Sequence, residues 1–144
     1  MGRGIFFVIA LFSVLAVVLS YDGMDPLIGN ASHYTPTRFA RTACEGKIGS
    51  SKLPPSVYPV AVAEKLWDRG AGCGRTYRVR CISDGAPRFC KTGVEIKVRI
   101  QDRAATMRSQ ASEYGADMII AESGFREIAD PFSSSVPIQY EEVA

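Results

Sequence analysis

Residues 94–101 carry the cleanest pattern in the chain. Val94, Ile96, Val98 and Ile100 alternate with Glu95, Lys97, Arg99 and Gln101. A period of two puts the apolar set on a buried face and the polar set in solvent, which predicts a half-buried strand. A second alternation sets Tyr77, Val79 and Cys81 against Thr76, Arg78 and Arg80. A third, shorter one holds Val136, Ile138 and Tyr140. The run 57–67 opens as a strand and passes into helix formers, Ala63, Glu64, Lys65 and Leu66, ending at Trp67. Trp67 and Tyr77 are expected in the core. Gly70, Gly72 and Gly74 then turn the chain, because glycine takes positive φ without a Cβ clash. Residues 121–129 predict a short helix, stopped by Asp130-Pro131. Residues 33–39 predict a first strand, at an edge or bulged because of Pro36. Residues 47–56 and 82–91 are expected as loops, and 103–114 as a loop or short helix. Short strands with turns between them and one or two small helices predict a mainly β barrel.

The N-terminus departs from this pattern. Residues 5–19 are an apolar run behind Arg3, and Ser20 follows. A basic start, an apolar stretch and a small-residue exit describe a secretory signal peptide. A membrane span needs about 20 apolar residues, more than this run supplies. The expected organisation is therefore a signal peptide over 1–20, a lead-in over 21–30 and one domain over 31–144. Secretion sets how the cysteines are read. Cys44, Cys73, Cys81 and Cys90 are even in number and lack a C-x-x-C pair, which predicts two structural disulfides and no metal site. Asn30-Ala31-Ser32 is a glycosylation sequon. His33 stands alone and is given no catalytic role. Seventeen Lys+Arg against 15 Asp+Glu, spread rather than blocked, exclude a nucleic-acid footprint. Arg75, Arg78 and Arg80 form the one local basic cluster. They are candidate contacts for a receptor, or simply a solvated strand face. No cofactor is expected, and the protein is expected to be a monomer.

The block VYPVAVAEKLWDRGAGCGRTYRVRC at 57–81 resembles the plant natriuretic peptide family, small secreted relatives of the first domain of expansins and of family forty-five glycoside hydrolases. The likeness continues through PRFCKTG at 87–93, VEIKVRIQDR at 94–103, FREIADP at 125–131 and IQYEEV at 138–143. It implies a six-stranded double-psi β-barrel, disulfides Cys44–Cys73 and Cys81–Cys90, and secretion to the apoplast and cell wall. It also implies a role in water and ion balance or stress signalling through a plasma-membrane receptor. The alternative it leaves open is a cell-wall polysaccharide-binding or loosening module.

Two departures from the family pattern bear on function. The family follows its Asp-Arg with a cysteine, whereas Asp102-Arg103 is followed here by Ala104 and Ala105. One whole bridge is missing, so residues 103–118 are expected to be looser than in relatives. The second departure concerns catalysis. Expansins and the hydrolases place an Asp just before a short helix. Setting Phe125 on the pattern's Phe puts Ile119 at that Asp, with Asp117 two residues upstream. Asp102 is the retained groove acid, either a remnant of that groove or a structural partner of Arg103. The hydrolases' other Asp comes from an early strand, where residues 37–41 hold no acid. Glycoside hydrolysis needs two carboxylates across the scissile bond. The expectation is a non-enzymatic protein with no catalytic residues.

Overall fold

The computed structural model describes residues 25–36, 42–45, 53–82, 89–104 and 115–143. The signal peptide expected over 1–20 and residues 105–114 lie outside them. The described chain runs β1 (Leu27–Tyr34), β2 (Val57–Val62), α1 (Glu64–Trp67), a 3-10 turn (Asp68–Gly70), β3 (Thr76–Cys81), β4 (Ile96–Arg103), β5 (Met118–Ala121), α2 (Glu122–Ile128) and β6 (Val136–Val143). The strands close into a barrel in the order β1-β5-β2-β4-β3-β6. β1 with β5 and β2 with β4 are parallel, and the other pairs are antiparallel.

Alternation decides the barrel interior. Val60 and Val62, Tyr77 and Val79, Ile96, Val98 and Ile100, Met118 and Ile120, and Ile138 and Tyr140 form one core cluster. Phe125 and Ile128 of α2 join it, as do Leu66 and Trp67. Trp67 and Tyr77 are therefore core residues, as their positions in the pattern predicted. β1 contributes little bulk inside. Its inward positions are Gly29, Ala31 and His33, whose ring packs 4.7 Å from that of Phe125, and at Gly29 neighbours leave no room for a side chain. A Cβ on Gly29 would stand 3.2 Å from the Tyr140 ring and 2.4 Å from Asp117 Oδ2.

The turn after α1 is tighter than its glycines alone suggest. Asp68 and Arg69 also take positive φ, 49° and 55°, beside Gly70 at 93°. Arg75 spans the turn and meets Asp68 at 3.1 Å. Gly72 serves by size instead, since a Cβ there would lie 2.3 Å from the Leu66 carbonyl oxygen. The disulfides are Cys44–Cys73 and Cys81–Cys90, with Cα separations of 5.5 and 5.3 Å.

Three elements differ from the sequence expectations. β1 begins at Leu27, inside the expected lead-in, and ends at Tyr34 rather than reaching residue 39. Residues 37–39 of the expected strand lie outside the described residues. β4 runs from Ile96 to Arg103, two residues later than the alternation placed it. β5 was not anticipated, because all four of its residues are buried and no alternation marks it.

Candidate functional site

The barrel has a second, outward set of neighbours, and a bulge creates it. Val60 pairs with Ile100, but Ala61 pairs with Asp102, so Gln101 is an extra residue in β4. Straight alternation from Ile100 would send Asp102 inward. The bulge shifts the phase by one residue and sets Asp102 beside Ala61 on the outer face. Ala61 in turn pairs with Ile119, and Ile119 with Ser32. Asp102, Ala61, Ile119 and Ser32 thus form one row across β4, β2, β5 and β1. Tyr34 packs on this row with Ala104 and Ala116. The row contains the two positions that the sequence comparison singled out, Asp102 and Ile119.

Strands lie about 4.8 Å apart, so positions 102 and 119 are separated by roughly 10 Å. A carboxylate pair would need an acid at both places. Only one is present. Ile119 is fully buried, as is Ala61, so this stretch of the row is hydrocarbon. Asp117 does not supply the second acid. Its Oδ2 accepts the Asn30 backbone N–H at 2.9 Å, and its Oδ1 lies 3.7 Å from Lys65 Nζ.

Asp102 holds backbone. Its Oδ1 accepts N–H groups from Ala43 at 3.0 Å and Arg103 at 2.9 Å. The Cys44 N–H donates to the Gln101 carbonyl at 3.2 Å. The bulge therefore ties the Cys44 turn to β4. Arg103 meets Asp102 through its backbone, while its Nε donates to Glu64 at 2.6 Å. Burial, and secondarily the Asp102 charge, push the Tyr34 phenol up to about 12. Because the folded value lies above the ordinary one of about 10, this contribution to stability is complete below pH 10. It is lost as pH rises through 12. Burial also raises the Tyr77 phenol, so ultraviolet titration is expected to show late-ionising tyrosines that shift with unfolding, and Tyr34→Phe is expected to reduce that late step without removing it.

The arginine cluster stands on another face. Arg78 and Arg80 are exposed on β3, and Arg75 is half-buried at its start. Arg78 lies between Glu95 at 3.9 Å and Glu141 at 3.7 Å. Arg75 lies between Asp68 and Glu142. Arg80 Nε donates to Gln139 at 2.9 Å. Glu141 and Glu142 on β6, Glu95 just before β4 and Asp68 in the turn balance the cluster, so it presents a mixed-charge surface rather than a positive patch. Asn30 is exposed on β1, in a strand rather than a loop. Among the described residues, no three metal-ligating side chains come together.

The sequence alone did not show Ser32, Tyr34 or the bulge. A usable signal was present in Asn30 and Ser32, which alternate with Gly29 and Ala31 as polar against small.

The chain is 30% identical over 114 residues to EG45-like domain containing protein 2 of Arabidopsis thaliana, covering 78% of this chain and 77% of that one. It belongs to the EG45-like domain family. A second EG45-like domain containing protein, from Citrus jambhiri, is 24% identical over 92% of this chain and 93% of its own length. No family model matches the sequence. Among solved structures, the Clavibacter michiganensis expansin in complex with cellohexaose superposes with a TM-score of 0.58 at 21% identity. The match covers 83% of this chain and 51% of that expansin, so this EG45-like chain spans about half the expansin's length. The shared fold is the six-stranded double-psi β-barrel with two short helices.

Proposed function

We propose that this EG45-like protein is a secreted, non-hydrolytic recognition protein of the plant cell-wall space. Its finer assignment is a signalling or stress-response protein of natriuretic-peptide type, acting on water and solute balance through a cell-surface receptor. The observation that carries the non-hydrolytic reading is Ile119, buried at the position where the resemblance places a proton-donating Asp. Asp102 lies on the same row, but its Oδ1 anchors the Cys44 turn. Two disulfides are consistent with an oxidising, extracellular setting.

A second reading, binding to wall polysaccharide, draws support from the expansin crystallised with cellohexaose. Burial of Ala61 and Ile119 counts against a glycan lying on that row. The assays separate the readings. Oxidised protein incubated with cellulose or xyloglucan is expected to release no reducing sugar above the blank. Release that disappears in Asp102→Asn would move the protein among the hydrolases. Retention on insoluble cellulose or xyloglucan would favour the polysaccharide reading. A change in protoplast volume and cyclic GMP at low protein concentration would favour the signalling one.

A further inference from the structure

Asn30 is the one asparagine in the sequence, and it opens the sequon Asn30-Ala31-Ser32. The fold treats the two ends of that sequon differently. Gly29 faces the Tyr140 ring, and Ala31 lies fully buried in the core cluster. Asn30 and Ser32, between and beyond them, therefore point outward. Asn30 is exposed, whereas Ser32 is only 3% exposed. The backbone between is held on both edges. The Asn30 N–H donates to Asp117 Oδ2 at 2.9 Å, and the Asn30 carbonyl accepts the Asp117 N–H at 3.0 Å. On its other side Asn30 pairs with Pro137 of β6. The folded barrel thus displays the amide of the sequon and covers its hydroxyl.

Topology sets when the sequon is open. Among the described strands β1 is made first, and it pairs only with β5 and β6, which are made last. At about 5–20 residues per second, roughly 5–20 s pass between synthesis of Asn30 and the start of β6 at Val136. Through that interval β1 lacks both of its strand partners. We propose that Asn30 receives an N-linked glycan in this interval, and that barrel closure afterwards shuts the site to further modification. This rests on the secreted reading above.

The co-reactant is an oligosaccharide joined to a lipid diphosphate, the donor class of the secretory pathway. Asn30 Nδ2 forms a bond to the anomeric carbon, and the bond from that carbon to the diphosphate oxygen breaks. The lipid diphosphate leaves with the electron pair, and one amide proton passes to a base of the transferase. Nothing is oxidised or reduced. A sequon is read through its hydroxyl as well as its amide, and Ser32 offers that hydroxyl only before it is buried. The product suits the fold, because a sugar on outward Asn30 displaces nothing from the core. Its root lies two residues from Ser32 on the same side of β1, roughly 7 Å away. The glycan therefore stands at the β1 end of the row that runs through Ile119 and Ala61 to Asp102.

The test is expression of residues 1–144 in a secreting plant cell line, followed by peptide N-glycosidase treatment of the secreted protein. A loss of mass is expected, with Asn30 recovered as aspartate. Ser32→Thr is expected to keep the glycan, and Asn30→Gln to be secreted without it at unchanged Tm. For the order of events, unglycosylated protein is offered to microsomal membranes carrying the lipid-linked donor, once oxidised and folded and once reduced and unfolded. The unfolded form is expected to be modified at least tenfold more. Secreted protein that loses no mass would overturn this inference and leave the secreted reading standing. A chain retained inside the cell would remove both. Equal modification of the folded and unfolded forms would overturn the closing of the site by the barrel.

Discussion

Val98→Asp is expected to abolish recovery of folded protein from a secreting host. Val98 is fully buried at the middle of β4, flanked by Tyr58 on β2 and Tyr77 on β3. An aspartate there is an unpaired charge among hydrocarbon, which costs several kcal/mol. Domain stability as a whole is about 5–15 kcal/mol. The neutral comparison is Lys97→Asp, one residue away but exposed, which is expected to express normally. Equal yields from the two variants would mean that β4 does not face the core.

The second large effect belongs to the Cys44–Cys73 bridge. It closes a sequence separation of 29 residues, against nine for Cys81–Cys90. In the chain-entropy account those loops correspond to about 3.6 and about 2.6 kcal/mol. The structure adds to the difference. Cys44 is fully buried, and its turn also holds the Ala43 and Cys44 N–H groups on β4. Replacing Cys44 and Cys73 by Ser is therefore expected to lower urea-unfolding stability more than replacing Cys81 and Cys90. The reverse order would show that the short bridge is the more important one. Denatured, unreduced wild-type protein is expected to titrate close to zero thiols, and two reactive thiols per chain would refute the pairing.

Legibility in the sequence follows a simple physical line. Where one face of a strand meets solvent, the pattern shows it, as in β3 and the first half of β4. β5 meets packing on both faces: Met118 and Ile120 point into the barrel, while Ile119 packs outside it with Ala104, Ala116 and Tyr34, and Ala121 is buried too. Four buried residues in a row carry no period, so the strand was hidden. β1 was misplaced for the opposite reason. Its interior positions are Gly29 (held small by Tyr140 and Asp117), Ala31, and the polar ring of His33 on Phe125, so its inner face looks like a loop. The orientation of Asp102 was beyond reach for a third reason. It depends on one extra residue in a pairing between distant segments, and local sequence does not record which partner slips. What the sequence did show about the site was identity. The sequence supplied Ile119 as the residue at the position where the resemblance places an acid, and the structure adds that it shares a row with Asp102.

Barrel closure has a consequence for how such a protein behaves when crowded. An open sheet ends in two strands whose free amides and carbonyls can recruit another chain, and proteins blunt those margins with charge, proline or bulges. Here β6 returns to β1, so neither margin exists among the described strands. Resistance to fibril growth is therefore supplied by topology. The outward positions of β1, β3 and β6 are released from guarding an edge, and their side chains are free to vary with the protein's surroundings.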